Sequence, residues 1–262
     1  NRMKLKTSGA VIRAHDISQL RFRDTPFVKL MNKRIYNILM VASRYDMFIL
    51  EDDGRVDEQI FNEYTSLSLR YPPRFTQVSN GKEALAELKQ NHYELIICMP
   101  NMESSDTFEL AKQVKKYDPR IPAVLLTPFS KAVTAALTKE DLSGFDYMFS
   151  WLGDADLLLA IIKLIEDRMN VDHDVKTVGV QTIMLVEDSV RFYSSALPLL
   201  FKFVLSESKE FSKEALNDHL RMLRMRGRPK ILLARDYEEA VSYYKKYGDN
   251  MLGIICDMSF NR

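Results

Sequence analysis

Apolar positions along the chain follow two rhythms that alternate. One is the near-continuous apolar run of a strand covered on both faces in a parallel sheet: Tyr36 to Val41, the short Phe75 to Val78, Tyr93 to Met99, Ala123 to Thr127 and Tyr147 to Ser150. The other is the three-and-four spacing of a helix with one packed face. It predicts helices over Asp57 to Leu69, ending before Pro72 and Pro73, and over Gly81 to Gln90, with Ala84, Leu85 and Leu88 on one side. Further helices are expected over Phe108 to Lys116, near Lys131 to Leu137, and over Ala155 to Met169 behind an Asp154 cap. Strands alternating with helices in this way predict a doubly wound α/β domain with a five-stranded parallel sheet.

The rhythm then restarts. Asn170 to Val180 reads as a polar hinge, followed by a strand Thr182 to Val186, helical material from Val190 to about Arg226, a strand Lys230 to Ala234, a helix Tyr237 to Tyr247 and a strand Met251 to Asp257. This is the first half of a second, incomplete copy. Val41 aligns with Val186, Ala84 with Ala240 and Cys98 with Cys256, and the offset grows after the first strand, so the extra length falls in the first helical region of the second copy. Periods this long mean tandem domains rather than a solenoid. The division expected is a polar, basic leader or linker at 1–33, a first domain at 34–170, a linker at 171–181 and the amino-terminal part of a second domain at 182–262. A start at Asn1 and a stop at Arg262, soon after an apolar strand, read as a fragment of a longer polypeptide.

Composition narrows the classes. Of 262 residues 46% are hydrophobic, ample for buried cores, and 37 Lys and Arg against 36 Asp and Glu leave a net charge of +1. No overall field points to nucleic acid or an anionic membrane. Cys98 and Cys256 sit inside apolar strand-like runs, which suits small buried hydrophobes in a reducing, cytoplasmic setting. No stretch approaches a membrane span.

Chemistry concentrates at the strand ends of the second copy. Ile183, Met184, Leu185 and Val186 deliver Glu187 and Asp188, and Leu252 to Cys256 deliver Asp257. Carboxylates at the carboxyl ends of parallel strands, where open α/β sheets bind ligands, suit a hard cation such as Mg²⁺. The plainer alternative is that they are strand-end or helix-capping acids. At the matching positions the first copy has Ala42, Ser43 and Met99. A dinucleotide fold would need GxGxxG after its first strand, and neither copy has it; no GxxxxGK[ST] loop exists either. A haloacid-dehalogenase-like phosphatase needs an acid where Ser259 stands, which leaves it the weaker enzyme alternative.

On these residues the second copy resembles the receiver (CheY-like) domain of response regulators, a flavodoxin-like fold. The resemblance implies phosphorelay signal transduction, with Asp257 as phosphoacceptor and a histidine kinase or other phosphodonor as partner. It also implies Mg²⁺ held by Glu187, Asp188, Asp257 and the backbone carbonyl of Ser259. Receivers carry a hydroxyl residue ending the fourth strand and a lysine ending the fifth, both beyond Arg262, and a proline after the acceptor, where Met258, Ser259, Phe260 and Asn261 follow instead. The first copy resembles a complete receiver whose site is lost, with Ser150 at the lysine position and Thr127 alone retained; the resemblance implies a sheet in the order 2-1-3-4-5, with Tyr36 to Val41 as an interior strand and Asn80, Met99 and Thr127 near one end. It is expected to bind no cofactor, to escape phosphorylation and to serve in binding or dimerisation.

The stretch Gly179 to Gln181, Val186 to Ser195 and Arg226 to Ala234 is similar to the amino-terminal region of bacterial phosphoenolpyruvate synthase or pyruvate phosphate dikinase-like proteins. This implies a regulatory front end, itself not an enzyme, attached to a phosphotransferase catalytic region. The alternative is that both copies are non-phosphorylated docking or homodimerising modules. Arg221, Arg224, Arg226, Arg228 and Lys230 read either as a site for phosphate, RNA or an acidic partner or as a solvated helix face. Tyr147 and Trp151, around the fifth strand, read as interface or core. His15, His92, His173 and His219 have no ligand spacing.

Overall fold

The computed structural model describes residues 29–51, 55–100, 106–128, 137, 140–151, 155–212 and 225–257. The first sheet is formed by β1 (Asn37–Val41), β2 (Arg74–Val78), β3 (Leu95–Cys98), β4 (Ala123–Pro128) and β5 (Tyr147–Trp151). All pairings are parallel and the order is β2-β1-β3-β4-β5, the order that the resemblance to a receiver implied. β1 is interior, and β3 is buried along its whole length, as an unbroken apolar run requires.

The connecting helices are α1 (Arg44–Leu50), α2 (Val56–Ser66), α3 (Gly81–Gln90) and α4 (Asp106–Tyr117). α1 was not legible in the periodicity, because it is a short helix with Met47 and Leu50 as its buried residues. Asn80 caps α3 by accepting from the Glu83 amide at 3.0 Å, and the Glu83 carboxylate accepts from the Ser79 amide, just before the cap, at 2.9 Å. The expected helix near Lys131 and the Asp154 cap fall outside the described residues.

α5 (Asp156–Val178) departs from expectation. The polar hinge expected at Asn170 to Val180 is helical as far as Val178, and the helix ends only at Gly179, whose backbone is left-handed at φ 73°. Two of its polar residues, Asn170 and Asp174, face protein, whereas Asp172, His173, Lys176 and Thr177 are exposed. Asn170 accepts from the Lys33 amide at 2.9 Å and donates to the Lys33 carbonyl at 2.6 Å, while Asp174 accepts from the Met31 amide. Residues 29–33, expected to be leader, are therefore docked along α5, with Leu30 and Met31 buried. From Leu157 to Ile165 α5 is buried on every side, as expected of a helix wedged between sheets.

The second sheet contains β6 (Thr182–Val186), β7 (Lys230–Ala234) and β8 (Met251–Cys256) in the parallel order β7-β6-β8. They are connected through α6 (Val190–Ser212) and α7 (Tyr237–Tyr247). Both α5 and α6 contact the first sheet's surroundings, and α6 packs on β5. That contact protects an otherwise open strand edge: the Ser150 amide donates to Ser194 Oγ at 2.9 Å, and the Tyr193 hydroxyl donates to the Met148 carbonyl. Tyr147 and Trp151 are core residues here, with Arg235 and Arg168 stacked 4.8 and 5.2 Å from the Tyr147 ring centroid.

Of the basic run, Arg221 and Arg224 lie outside the described residues, and Arg228 and Lys230 are buried rather than solvated. Arg228 forks onto Asp167, and Lys230 meets Asp174 at 3.1 Å. Their chemistry is that of a buried ion-pair network, since neither long cation could be buried without a carboxylate to receive it.

A candidate acidic site at the carboxyl end of the second sheet

Strand register decides which side chains meet at the end of the second sheet. Val186 lies opposite Cys256, with one extra residue accommodated in β8 near Leu252, a bulge that advances the strand and leaves Asp257 beside the end of β6. The Asp257 amide donates to the Val186 carbonyl at 3.2 Å, and the Glu187 amide donates to the Ala234 carbonyl at 3.0 Å. Glu187 and Asp257 thus emerge at one end of adjacent parallel strands, the location where open α/β sheets present ligand-binding groups.

The same two backbone bonds occur in the first sheet. The Met99 amide donates to the Val41 carbonyl at 2.8 Å, and the Ala42 amide donates to the Val78 carbonyl at 3.1 Å. Met99 therefore stands in the hydrogen-bonding position of Asp257, and Ala42 in that of Glu187. Both are buried in the main hydrophobic core, the cluster that also holds Met47 and Leu157 to Ile162 of α5. Ser43 caps α1, accepting from the Asp46 amide at 3.1 Å and donating to the Asp46 carboxylate at 2.6 Å. Thr127 turns its hydroxyl to the Phe149 carbonyl at 3.2 Å, and Ser150 is buried against α6. This end of the first sheet offers no carboxylate at these positions.

In the second sheet Glu187 is 9% exposed, and its Oε1 accepts from the Ser189 amide at 3.0 Å, which holds the side chain over the start of α6. Asp188 is exposed and Asp257 half-buried. Ser259 lies outside the described residues. Among the described residues no three Asp, Glu, His or Cys side chains are gathered closely enough to hold a metal ion. The carboxylates are right in kind and share a sheet end, but their side chains are not drawn together into a closed ligand set. His92 and His173 each pair with a neighbouring acid, Glu94 at 3.6 Å and Asp174 at 3.1 Å, away from this end.

No family model matches the chain. Among curated proteins it is similar to the transcriptional regulatory protein ZraR of Klebsiella oxytoca, at 31% identity over 62 residues, 24% of this chain and 14% of that protein. ZraR of Escherichia coli matches at 22% identity over 111 residues, 42% of this chain and 25% of that protein. The chain thus spans a quarter or less of the length of these relatives. Among solved structures, the receiver domain of the Francisella response regulator 1452 matches at 19% identity and a TM-score of 0.36, covering 52% of this chain and 99% of that one. The response regulator TrrA of Thermotoga maritima, solved with Mg²⁺ and beryllofluoride, matches at 19% identity and a TM-score of 0.36, covering 50% and 98%. No helix among the described residues is long and apolar enough to cross a membrane.

Proposed function

We propose that the chain is a regulatory module of signal transduction built from two receiver-like units: one at 34–170 that has lost its phosphorylation site, and the start of another at 182–262 that keeps it. The observation that carries this reading is the pair of equivalent backbone positions, Met99 against Asp257 and Ala42 against Glu187. Each pair makes the same strand-end hydrogen bonds, with hydrocarbon in one sheet and carboxylate in the other. A fold that forms equally well around Ala and Met has no structural need for the acids, so chemistry is the better explanation of their presence.

In this reading an Asp257 carboxylate oxygen attacks the phosphorus of a small acyl phosphate or a phosphohistidine. An O–P bond forms, the bond to the leaving group breaks, and that group departs with the electron pair. Glu187, Asp188 and Asp257 are the residues that would hold Mg²⁺, with the Ser259 carbonyl as a further donor. The ion would supply charge neutralisation for the phosphoryl oxygens. What this chain's own residues contribute is a nucleophile fixed by the β6–β8 register and an acid, Glu187, oriented by the Ser189 amide. The phosphodonor would be a histidine kinase or acetyl phosphate, and the output an attached catalytic region such as a phosphoenolpyruvate synthase-like phosphotransferase.

The test is Mg²⁺-dependent labelling with radiolabelled acetyl phosphate, comparing the natural protein with Asp257→Asn. Label in the first and none in the second supports the reading, and equal labelling of both rules out this acceptor.

A further inference from the structure

We propose that Glu187 gates the outer edge of β5: its bond to the Ser189 amide keeps that edge covered, and drawing the carboxylate away uncovers it. This deepens the two-unit reading by giving the acidic sheet end a mechanical output, and it rests on that reading only for the cation that would draw the carboxylate away.

Among the described residues β5 is the outer strand of the first sheet, and side chains of the second unit cover its edge. The cover reaches alternate residues. Arg235 Nη1 donates to the Asp146 carbonyl at 2.6 Å, the Tyr193 hydroxyl donates to the Met148 carbonyl, and Ser194 Oγ accepts from the Ser150 amide at 2.9 Å. Between these bonds Arg235 lies over the Tyr147 ring at 4.8 Å, and Tyr193 meets Phe149 edge to face with centroids 5.4 Å apart. The inner side of the strand is held separately. The Asp146 amide donates to the Ala123 carbonyl at 2.8 Å, and the Asp146 carboxylate accepts from the Ala123 amide at 2.8 Å and from Lys115 Nζ at 2.6 Å. β5 is therefore fixed against β4, while its outer side depends on the cover.

The cover starts at the acidic end. Tyr193 and Ser194 stand at the beginning of α6, shortly after Glu187, and Arg235 follows β7 directly. The two loops are tied together at the sheet, because the Glu187 amide donates to the carbonyl of Ala234, the residue before Arg235. Glu187 Oε1 accepts from the Ser189 amide at 3.0 Å, and the Ser189 carbonyl accepts from the Tyr193 amide at 3.0 Å. Hydrogen bonds thus lead stepwise from the acid at the sheet end to the hydroxyl that holds Met148. On the other loop the Glu239 carboxylate accepts from the Arg235 amide at 2.9 Å and from Nη2 at 3.1 Å, which aims the guanidinium at β5. A divalent cation that claims Glu187 Oε1 competes with the Ser189 amide, and an amide that loses its acceptor destabilises the turn it closes. An uncovered strand edge is a template for pairing with another chain, so the gate converts a change at the acidic end into an exposed surface.

The experiment is hydrogen exchange of the whole chain resolved by peptide, joined to acrylamide quenching of Trp151, the single tryptophan and the last residue of β5. Glu187→Ala should speed exchange over residues 147–151 about threefold or more and raise the quenching, with β3 unchanged as the sign of a local opening. Glu187→Gln keeps an oxygen for the Ser189 amide and should match the natural protein here, although it suppresses phosphoryl transfer to Asp257. Mg²⁺ should act on the natural protein as Glu187→Ala does, with the midpoint that calorimetry gives for its binding. Protection of β5 unchanged in Glu187→Ala, lost equally in Glu187→Gln, or unchanged at calorimetric saturation with Mg²⁺ would overturn the proposal. Failure of Mg²⁺ to bind counts against the phosphoacceptor reading alone, and the two variants still decide the gate.

Discussion

Arg228 grips both carboxylate oxygens of Asp167, at 2.8 and 2.7 Å, with both side chains removed from solvent. The same carboxylate accepts from the Ile231 amide at 2.9 Å and lies 4.0 Å from Lys230. One residue of α5 therefore fixes the start of β7, and through it the position of the second sheet. Removing one partner of such a pair strands a buried charge, at a cost of about 3–5 kcal/mol. Arg228→Met should fall at the lower end, because Asp167 keeps the Ile231 amide and Lys230. Asp167→Leu should cost more, since it leaves a guanidinium and an amide unmatched. The double variant should cost less than the sum of the two. Urea unfolding at neutral pH gives all three values.

The Ser150 amide is an edge-strand donor satisfied by the Ser194 side chain. Ser194→Ala leaves that buried N–H without its acceptor, and the expected loss is about 1–3 kcal/mol. Ser195→Ala, one residue along α6, loses only an exposed bond to the Phe192 carbonyl and should stay within about 0.5 kcal/mol of the natural protein. Thermal unfolding of the two variants side by side checks the contrast.

The two cysteines should differ sharply in reactivity. Burial pushes the Cys98 thiol up to about 12, whereas Cys256 is exposed at the end of β8. Thiolate is the reactive form, so an aromatic disulfide reagent at pH 8 should titrate one thiol in the native protein and two after denaturation. Cys256→Ser should abolish the native reaction. Fast native modification of Cys98 would mean that β3 is not buried.

Asp118 accepts hydrogen bonds from the Arg120 side chain and amide, which hold its carboxyl down at about 2 against an ordinary 3.8. A carboxyl depressed by folding contributes stability above its unfolded value and loses it as pH falls through the folded one. The natural protein should therefore lose this contribution between about pH 4 and pH 2. Asp118→Asn should be the less stable protein at pH 6, with the gap closing toward pH 2 in paired melting curves.

The fold was largely legible because its strands are interior: Ile38 to Val41 and Leu95 to Cys98 are apolar without interruption, and the alternation gave the doubly wound class while the resemblance to a receiver supplied the strand order. Legibility failed where polarity marks buried pairing instead of solvent. Asn170 and Asp174 read as hinge residues, and Arg228 and Lys230 as a solvated face, because partners far away in sequence cannot be seen in a local pattern. At the acidic end the strand runs delivered Glu187 and Asp257 to one place as expected. Periodicity could not reveal that Glu187 would spend an oxygen on the Ser189 amide.

The central claim is that Asp257 takes a phosphoryl group that the first sheet cannot. An aspartyl phosphate is an acyl phosphate, which borohydride reduces to the alcohol, converting that aspartate to homoserine. After incubation with acetyl phosphate and Mg²⁺, borohydride trapping and peptide mapping by mass spectrometry should find homoserine at position 257, dependent on Mg²⁺ and suppressed by Glu187→Gln. Homoserine at another aspartate, or at none while the protein remains folded, would contradict the account.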